Sequence, residues 1–215
     1  MRPSTGTVPA RDFKNIIFDL GGVIINLDEA KTVERLARVS ALPAAAIQHH
    51  FLHFDAYKQF EKGQVPVGAF REAVRKEFKV KATDEEIDDC MNAMLLDIPG
   101  ERIRLLGSLR AAHRLFLLSN TNEVHYACFN RILKETTGDV SLGPYFEKSY
   151  YSHLVHMRKP DLEVFEKVLS ENGLVPADTL FIDDNRANLE GAKPTGISTF
   201  HITGPHQLFE LFGWG

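Results

Sequence analysis

The sequence predicts an α/β fold: a doubly wound, Rossmann-like parallel sheet core carrying an inserted all-helical unit after its first strand. Three observations predict it. Short β-rich runs recur at 16–18, 114–118, 148–151, 179–182 and 198–202. The most apolar of them do not alternate with polar residues, the pattern of strands buried on both faces in a parallel sheet. Helical patterns separate the later runs. Finally, the interval 28–98 holds helical patterns alone, too many for one crossover connection.

The elements follow in order. Residues 1–12, ending in Ala10-Arg11-Asp12, lack an apolar stretch and read as a flexible tail. Ile16-Ile17-Phe18 is the first strand. Segments 29–40, 44–54, 55–61, 67–78 and 83–95 are helical, separated by breaks at Pro43, at 63–66 and at 79–82. Segment 99–112 carries Ile103, Leu105, Leu106 and Leu109 at helical spacing. Segment 160–172 carries Leu162, Val164, Phe165, Val168 and Leu169, with Gly173 as its C-cap. A short helix at 188–193 stops near Pro194 and Gly196. The expected organisation is a core of 13–27 and 99–215, with an inserted helical unit at 28–98. The C-terminal run from Leu208 to Trp214 is expected to pack on a sheet edge, with a dimer contact as the other option.

Composition narrows the function classes. The chain has 215 residues, 44% hydrophobic and 25% charged, with net charge −4. That is ordinary globular composition, and its charge attracts neither nucleic acid nor an anionic membrane. No apolar run is long enough to span a bilayer. Cys90 and Cys128 stand apart without a CxxC spacing, which favours free thiols in a reducing cytoplasm.

In an open parallel sheet, ligands gather at the carboxyl ends of the strands. The first run ends in Asp19, the second in Ser119-Asn120-Thr121-Asn122 and the fourth in Asp183-Asp184-Asn185. Lys159 precedes the helix leading to the fourth run. Three acids crowded together repel one another unless a cation is present, and hard oxygen ligands suit Mg²⁺. Mg²⁺ with lysine, hydroxyl and amide donors suits a phosphate. Asp19 would then be free to attack phosphorus.

Four strings carry a resemblance: "FDLGGV" with Asp19, "LLSNTN" with Ser119, "MRKP" with Lys159 and "FIDDN" with Asp183 and Asp184. In this order, and with a helical insertion after the first, the sequence resembles the haloacid dehalogenase superfamily from about Lys14 to the C-terminus. Within it, the strings look most similar to the α-D-glucose-1-phosphate phosphatase-like group. The resemblance implies a hydrolase, a phosphatase of small phosphorylated metabolites, with Mg²⁺ as cofactor. It implies that Asp19 is the nucleophile and a metal ligand, and that Gly21 offers its backbone carbonyl to the metal. Ser119 and the backbone of Asn120 would hold the phosphoryl group, and Lys159 would neutralise charge. Asp184 would bind the metal directly and Asp183 through water. The segment 28–98 would be a helical cap of the family's first type.

One position departs from the family pattern. Most phosphatases of the family carry a second aspartate where this chain has Gly21. Positioned acid–base help contributes about 10²–10⁴-fold. Asp28, His156, a substrate hydroxyl or water are candidates for the missing proton donor.

Plainer readings accompany each residue. Asp19 alone could cap a helix, and Ser119 could be the N-cap of the helix after the second strand, a role compatible with phosphate contact. Asp183-Asp184 could be a capping pair and Lys159 a solvated surface lysine. His49, His50 and His53 lack the glutamate of a zinc motif and read as the polar face of a helix; His125 and His153 read likewise. Tyr57, Glu61 and Lys62 either read a leaving group or form an ordinary helix end. Three functions compete. They are a Mg²⁺-dependent phosphatase acting through an aspartyl-phosphate, a catalytically weakened ligand-binding protein, and a 2-haloacid dehalogenase, whose chemistry leaves Asp183 and Asp184 without a task. Receiver-type switches also place acids and a lysine at strand ends, but they lack a helical insertion. Oligomeric state and substrate identity are not encoded in any motif.

Overall fold

The structure, a computed structural model, describes residues 10–214. Its sheet has five strands: β1 (Asn15–Phe18), β2 (Arg114–Ser119), β3 (Lys148–Tyr151), β4 (Thr179–Asp183) and β5 (Ser198–His201). All neighbours pair in parallel, in the order β3-β2-β1-β4-β5. The β1 strand is central. Its Ile17 stands level with Phe116 of β2 and Phe181 of β4.

The continuous apolarity of these strands now has a cause. Successive side chains point to opposite faces, and both faces are covered. Ile16, Phe18, Leu115, Leu117, Leu180 and Ile182 join one buried cluster; Ile17, Phe116, Leu118 and Phe181 join the other.

Eleven α-helices are assigned among the described residues. Between β1 and β2 run α1 (Glu29–Val39), α2 (Ala44–Leu52), α3 (Asp55–Glu61), α4 (Val67–Glu77), α5 (Asp84–Asn92) and α6 (Gly100–Leu109). After β2 come α7 (Glu123–Thr137), α8 (Ser152–Val155), α9 (Leu162–Asn172), α10 (Arg186–Ala192) and α11 (Gln207–Phe212). Residues of α6, α7 and α11 cover the Phe18 face, and those of α9 and α10 the Ile17 face. This is the doubly wound arrangement.

Helices α1 to α5 build an apolar cluster of their own around Leu36, Ile47, Phe60, Phe70, Val74 and Ile87. The rings of Phe60 and Phe70 stack with centroids 4.2 Å apart. Thr83 and Glu86 start α5 with a reciprocal capping box. Two chain segments connect this unit to the sheet, and they hydrogen-bond to each other. The Asn26 amide donates to the Asp97 carbonyl, Leu96 to Asn26, and Asp28 to Met94, each at 2.9 Å.

The structure departs from the sequence reading in three places. Ser119 ends β2 and does not cap the following helix; the Asn122 side chain does, accepting from the His125 amide at 3.0 Å. The run from Leu208 to Trp214 does not lie on a sheet edge. Phe212 reaches the central strand, its ring 6.2 Å from that of Phe18, because α11 completes the cover of that face. Of the expected tail, residues 1–9 lie outside the described residues. Ala10–Asp12 form a 3-10 turn in which Ala10 is fully buried in the same cluster. Cys90 and Cys128 are buried and free. No helix among the described residues is long and apolar enough to cross a membrane.

Candidate active site

The parallel topology brings the ends of β1, β2 and β4 to one edge. Asp19 follows β1 directly, and its amide donates to the Ile182 carbonyl at 2.9 Å. Ser119 is the last residue of β2 and Asp183 the last of β4. Lys159 lies between them, only 1% exposed. Its Nζ donates at 2.7 Å to Asp19 Oδ1 and at 2.7 Å to Asp183 Oδ2, and it stands 5.4 Å above the Phe181 ring.

Burial works against the Lys159 charge, but the two aspartates outweigh it and its pKa is raised. Asp19 shows the opposite balance. Burial pushes its carboxyl up to about 7, against the pull of Lys159 and with added repulsion from Asp183 and Asp184. Carboxylate oxygens of Asp19, Asp183 and Asp184 lie within 4.8 Å of one another. Three hard oxygen donors this close, with one lysine between two of them, suit a divalent cation.

Asp183 is the most constrained of the three. Its Oδ1 accepts from the Asn185 amide at 2.7 Å and from Asn188 Nδ2 at 3.1 Å. Its Oδ2 accepts from Lys159 and, at 3.1 Å, from the same Asn188 amide. Asp184 is more open, and burial together with Asp183 raises its pKa. Its backbone carbonyl faces His201 Nε2 at 2.9 Å.

Asn120 acts through its side chain on Lys159. Its Nδ2 donates to the Lys159 carbonyl at 2.8 Å, and its Oδ1 accepts from the Lys159 amide at 2.9 Å. This two-bond clamp fixes the backbone that carries the lysine. The Ser152 hydroxyl similarly holds the amide and carbonyl of Thr121 at 2.8 Å each.

The two glycines after Asp19 have different reasons. Gly22 has φ +66, and a Cβ there would lie 2.1 Å from Asp184 Oδ2, so backbone conformation and close approach both require glycine. Gly21 meets a softer obstacle, since a Cβ there would lie 2.5 Å from Leu27 Cδ1.

A cavity of about 290 Å³ opens over these residues. Its apolar lining includes Leu27, Phe51, Phe54, Met94, Leu95 and Phe129. Its polar lining includes Glu29, Tyr57, Lys58, Glu61 and Arg158. Glu61, only 6% exposed, comes from α3 and pairs with Arg158, its Oε2 2.9 Å from Nη2. Burial raises the Glu61 pKa against the pull of Arg158. Burial also drives Tyr57 well above its usual value.

Every site residue proposed from the motifs, Asp19, Gly21, Ser119, Asn120, Lys159 and Asp184, lines this cavity, and Asp183 lies beneath it against Lys159. Tyr57 and Glu61 line it too. Lys62 does not; it pairs with Asp161 at 3.0 Å. Neither candidate proton donor reaches the cavity. Asp28 is the N-cap of α1, accepting from the Ala30 amide at 3.1 Å, and His156 Nδ1 faces the Lys62 carbonyl at 2.9 Å.

The motifs did not single out Asn188, Arg158, Glu29 or His125. Arg158 stands within "MRKP" and Asn188 lies just beyond "FIDDN", but nothing in the order of residues shows that one meets α3 and the other Asp183. His125 is not on a polar surface. It is buried, its Nε2 is 3.1 Å from the Met91 carbonyl, and burial lowers its pKa to about 4. His49 and His53 contact each other edge-on, and His50 meets Glu77 at 2.6 Å, away from the cavity.

A parallel sheet whose strand ends gather three carboxylates around a buried lysine defines a class of α/β hydrolase, and the comparison with known families agrees. The chain belongs to the haloacid dehalogenase-like hydrolases, whose family model matches residues 13–196. It is similar to the D-ribitol-5-phosphate phosphatase of Bacteroides thetaiotaomicron, 27% identical over 189 residues, covering 87% of this chain and 90% of the relative. Among solved structures it resembles a haloacid dehalogenase family enzyme of Bacteroides thetaiotaomicron. The TM-score is 0.84 at 34% identity, covering 93% of this chain and 98% of that one. A complex of that enzyme with magnesium and inorganic phosphate superposes with TM-score 0.77 at 36% identity, covering 88% and 93% of the two chains. These relatives give no specific support to the glucose-1-phosphate phosphatase group within the family.

Proposed function

We propose that the protein is a Mg²⁺-dependent phosphatase of a small phosphorylated metabolite, a sugar or sugar-alcohol phosphate, acting through an aspartyl-phosphate on Asp19. The observation that carries this reading is the buried Lys159 bridging Asp19 and Asp183, with Asp184 close by. The names of the relatives, a ribitol phosphate phosphatase and an enzyme complexed with magnesium and phosphate, support it.

Asp19, Asp184 and the Gly21 carbonyl would hold Mg²⁺, with Asp183 acting through water. The ion would supply positive charge to the phosphate oxygens. The chain's own residues do the rest. Lys159 fixes the attacking carboxylate and offers charge to the phosphoryl group. Asn120 holds that lysine in place. Ser119 and the Asn120 backbone contact the phosphoryl oxygens. Asp183, held by Lys159, Asn185 and Asn188, also positions that lysine. The unit 28–98 serves as a cap that excludes water and presents Tyr57 and Glu61 to the leaving group.

The cofactor and reaction are tested together by a phosphate-release screen across sugar, sugar-alcohol, acyl and nucleotide phosphates, with and without Mg²⁺. Release that needs Mg²⁺ and disappears in Asp19→Asn is the expected result. Undiminished turnover in Asp19→Asn would sink the mechanism. Gly21 favours one second reading, a ligand-binding protein with weakened catalysis. Silence across the screen alongside tight orthophosphate binding would establish that instead. Chloride release from 2-haloacids without metal would point to a dehalogenase.

A further inference from the structure

We propose that Glu29 is the general acid and base of this site, standing in for the side chain that Gly21 lacks. The proposal rests on the phosphatase reading above. When Asp19 attacks phosphorus, the bond from phosphorus to the leaving oxygen breaks, and an alkoxide of high pKa must receive a proton as it leaves. Gly21 offers none.

Among the described residues, four acids line the cavity: Asp19, Glu29, Glu61 and Asp184. Asp19 is the attacking group and is held by Lys159. Asp184 belongs to the carboxylate cluster. Glu61 is tied to Arg158. Among the other proton carriers, Lys159 sits between two carboxylates and His125 faces the Met91 carbonyl, while Tyr57, whose burial raises its pKa well above the usual value, and Lys58 also line the cavity. Of the four carboxyls, Glu29 alone remains, exposed and with no ion pair or side-chain hydrogen bond among the described residues.

The chain path places it. Leu27 is bridged to Leu95 in extended conformation, and Asp28 continues extended at φ −145 and ψ 92. In extended backbone, residues i and i+2 project to the same side. Leu27 projects onto Gly21, so Glu29 follows it towards the same cavity, which both residues line. The Glu29 charge acts on Tyr57, Glu61 and Asp184, which surround that space. One segment thus fills the volume above Gly21 and brings a carboxyl to the same cavity.

The cycle balances. Asp19 Oδ bonds to phosphorus, the leaving-group oxygen departs with the Glu29 proton, and Glu29 becomes a carboxylate. Water then attacks the aspartyl-phosphate and gives its proton to Glu29. Orthophosphate leaves, Asp19 is restored, and Glu29 is protonated again.

The test compares wild type with Glu29→Gln and Glu29→Asp in the presence of Mg²⁺. The probes are p-nitrophenyl phosphate, whose leaving group needs no acid, and ribitol 5-phosphate or glycerol phosphate, whose leaving groups do. In Glu29→Gln, first-turnover release of nitrophenol should stay within about threefold of wild type, while first-turnover cleavage of the alkyl phosphate falls about 10²-fold. The aspartyl-phosphate should accumulate, seen by mass spectrometry of the quenched protein, because its hydrolysis has lost a base. Orthophosphate affinity should be unchanged, and Glu29→Asp should recover part of the alkyl phosphate rate. Equal losses on both substrates, no loss on either, or no accumulated phosphoenzyme would overturn the proposal while leaving the phosphatase reading intact. A wild type that releases no phosphate from any probe would remove both.

Discussion

Leu27 occupies the space that a side chain on Gly21 would need: its Cδ1 lies 2.5 Å from the position of a Cβ at residue 21. The obstacle is the far end of a flexible side chain. Gly21→Asp should therefore fold, at a cost of about 1 kcal/mol for the crowding. Gly21→Asp combined with Leu27→Ala makes room for the carboxyl, and it should raise turnover most for substrates with poor leaving groups. A series of aryl and alkyl phosphates read by phosphate release checks this. Equal gains on good and poor leaving groups would show that the position does not carry an acid.

The three clustered carboxylates predict a stabilising response to Mg²⁺. A ligand that binds only the folded chain at a hundred times its dissociation constant adds about 2.7 kcal/mol. Thermal melts with increasing MgCl₂ should show a rising Tm in wild type. Asp184→Ala should lose most of that rise, since it removes the most open carboxylate of the cluster. An equal rise in both proteins would place the ion elsewhere.

His125 predicts an acid-sensitive junction between the sheet and the helical unit. Its side chain is buried against the Met91 carbonyl of α5, and burial holds its folded pKa at about 4. The unfolded value is about 6.5. Between these two pH values the unfolded chain binds a proton that the folded chain refuses. Stability is therefore full above pH 6.5 and falls as pH drops towards 4, by about 3 kcal/mol in all. Urea unfolding of wild type and His125→Leu at pH 7.5 and pH 4.5 measures it. The variant should lose less stability than wild type over that interval.

The Glu61 and Arg158 pair joins α3 to the chain segment carrying Lys159. Removing one partner strands the other. Arg158→Ala leaves the Glu61 carboxylate buried alone and should cost about 3 kcal/mol, with faster amide exchange in α3. Adding Glu61→Leu to that variant should return most of the loss. Additive losses in the double mutant would show that the two side chains do not act as a pair.

The legible part of this protein is the part written in local pattern. Ile16-Ile17-Phe18, Leu115 to Leu118 and Leu180 to Ile182 are apolar at every position because each face of the sheet is buried, and no longer-range knowledge is needed to read them as interior parallel strands. The ends of those strands, Asp19, Ser119 and Asp183, were legible for the same reason, since the topology of a parallel sheet gathers them at one edge. Lys159 and Asp184 came with the motif strings around them.

Tertiary structure decided what depends on distant segments meeting. Asn122, not Ser119, caps α7, because Ser119 is still paired in the sheet as the last residue of β2. Phe212 reaches Phe18 across nearly the whole chain and so covers the central strand. His125 is buried only because α5 of the helical unit packs over α7. Glu61 finds Arg158, Asn188 finds Asp183, and Leu27 covers Gly21 through contacts between elements whose order in the sequence carries no record of their distance. The sequence by itself determined the sheet and the acids at its rim. Only the packing of the helical unit on that sheet decided which side chains surround the cavity, because that packing is set by shape complementarity between surfaces rather than by any local periodicity.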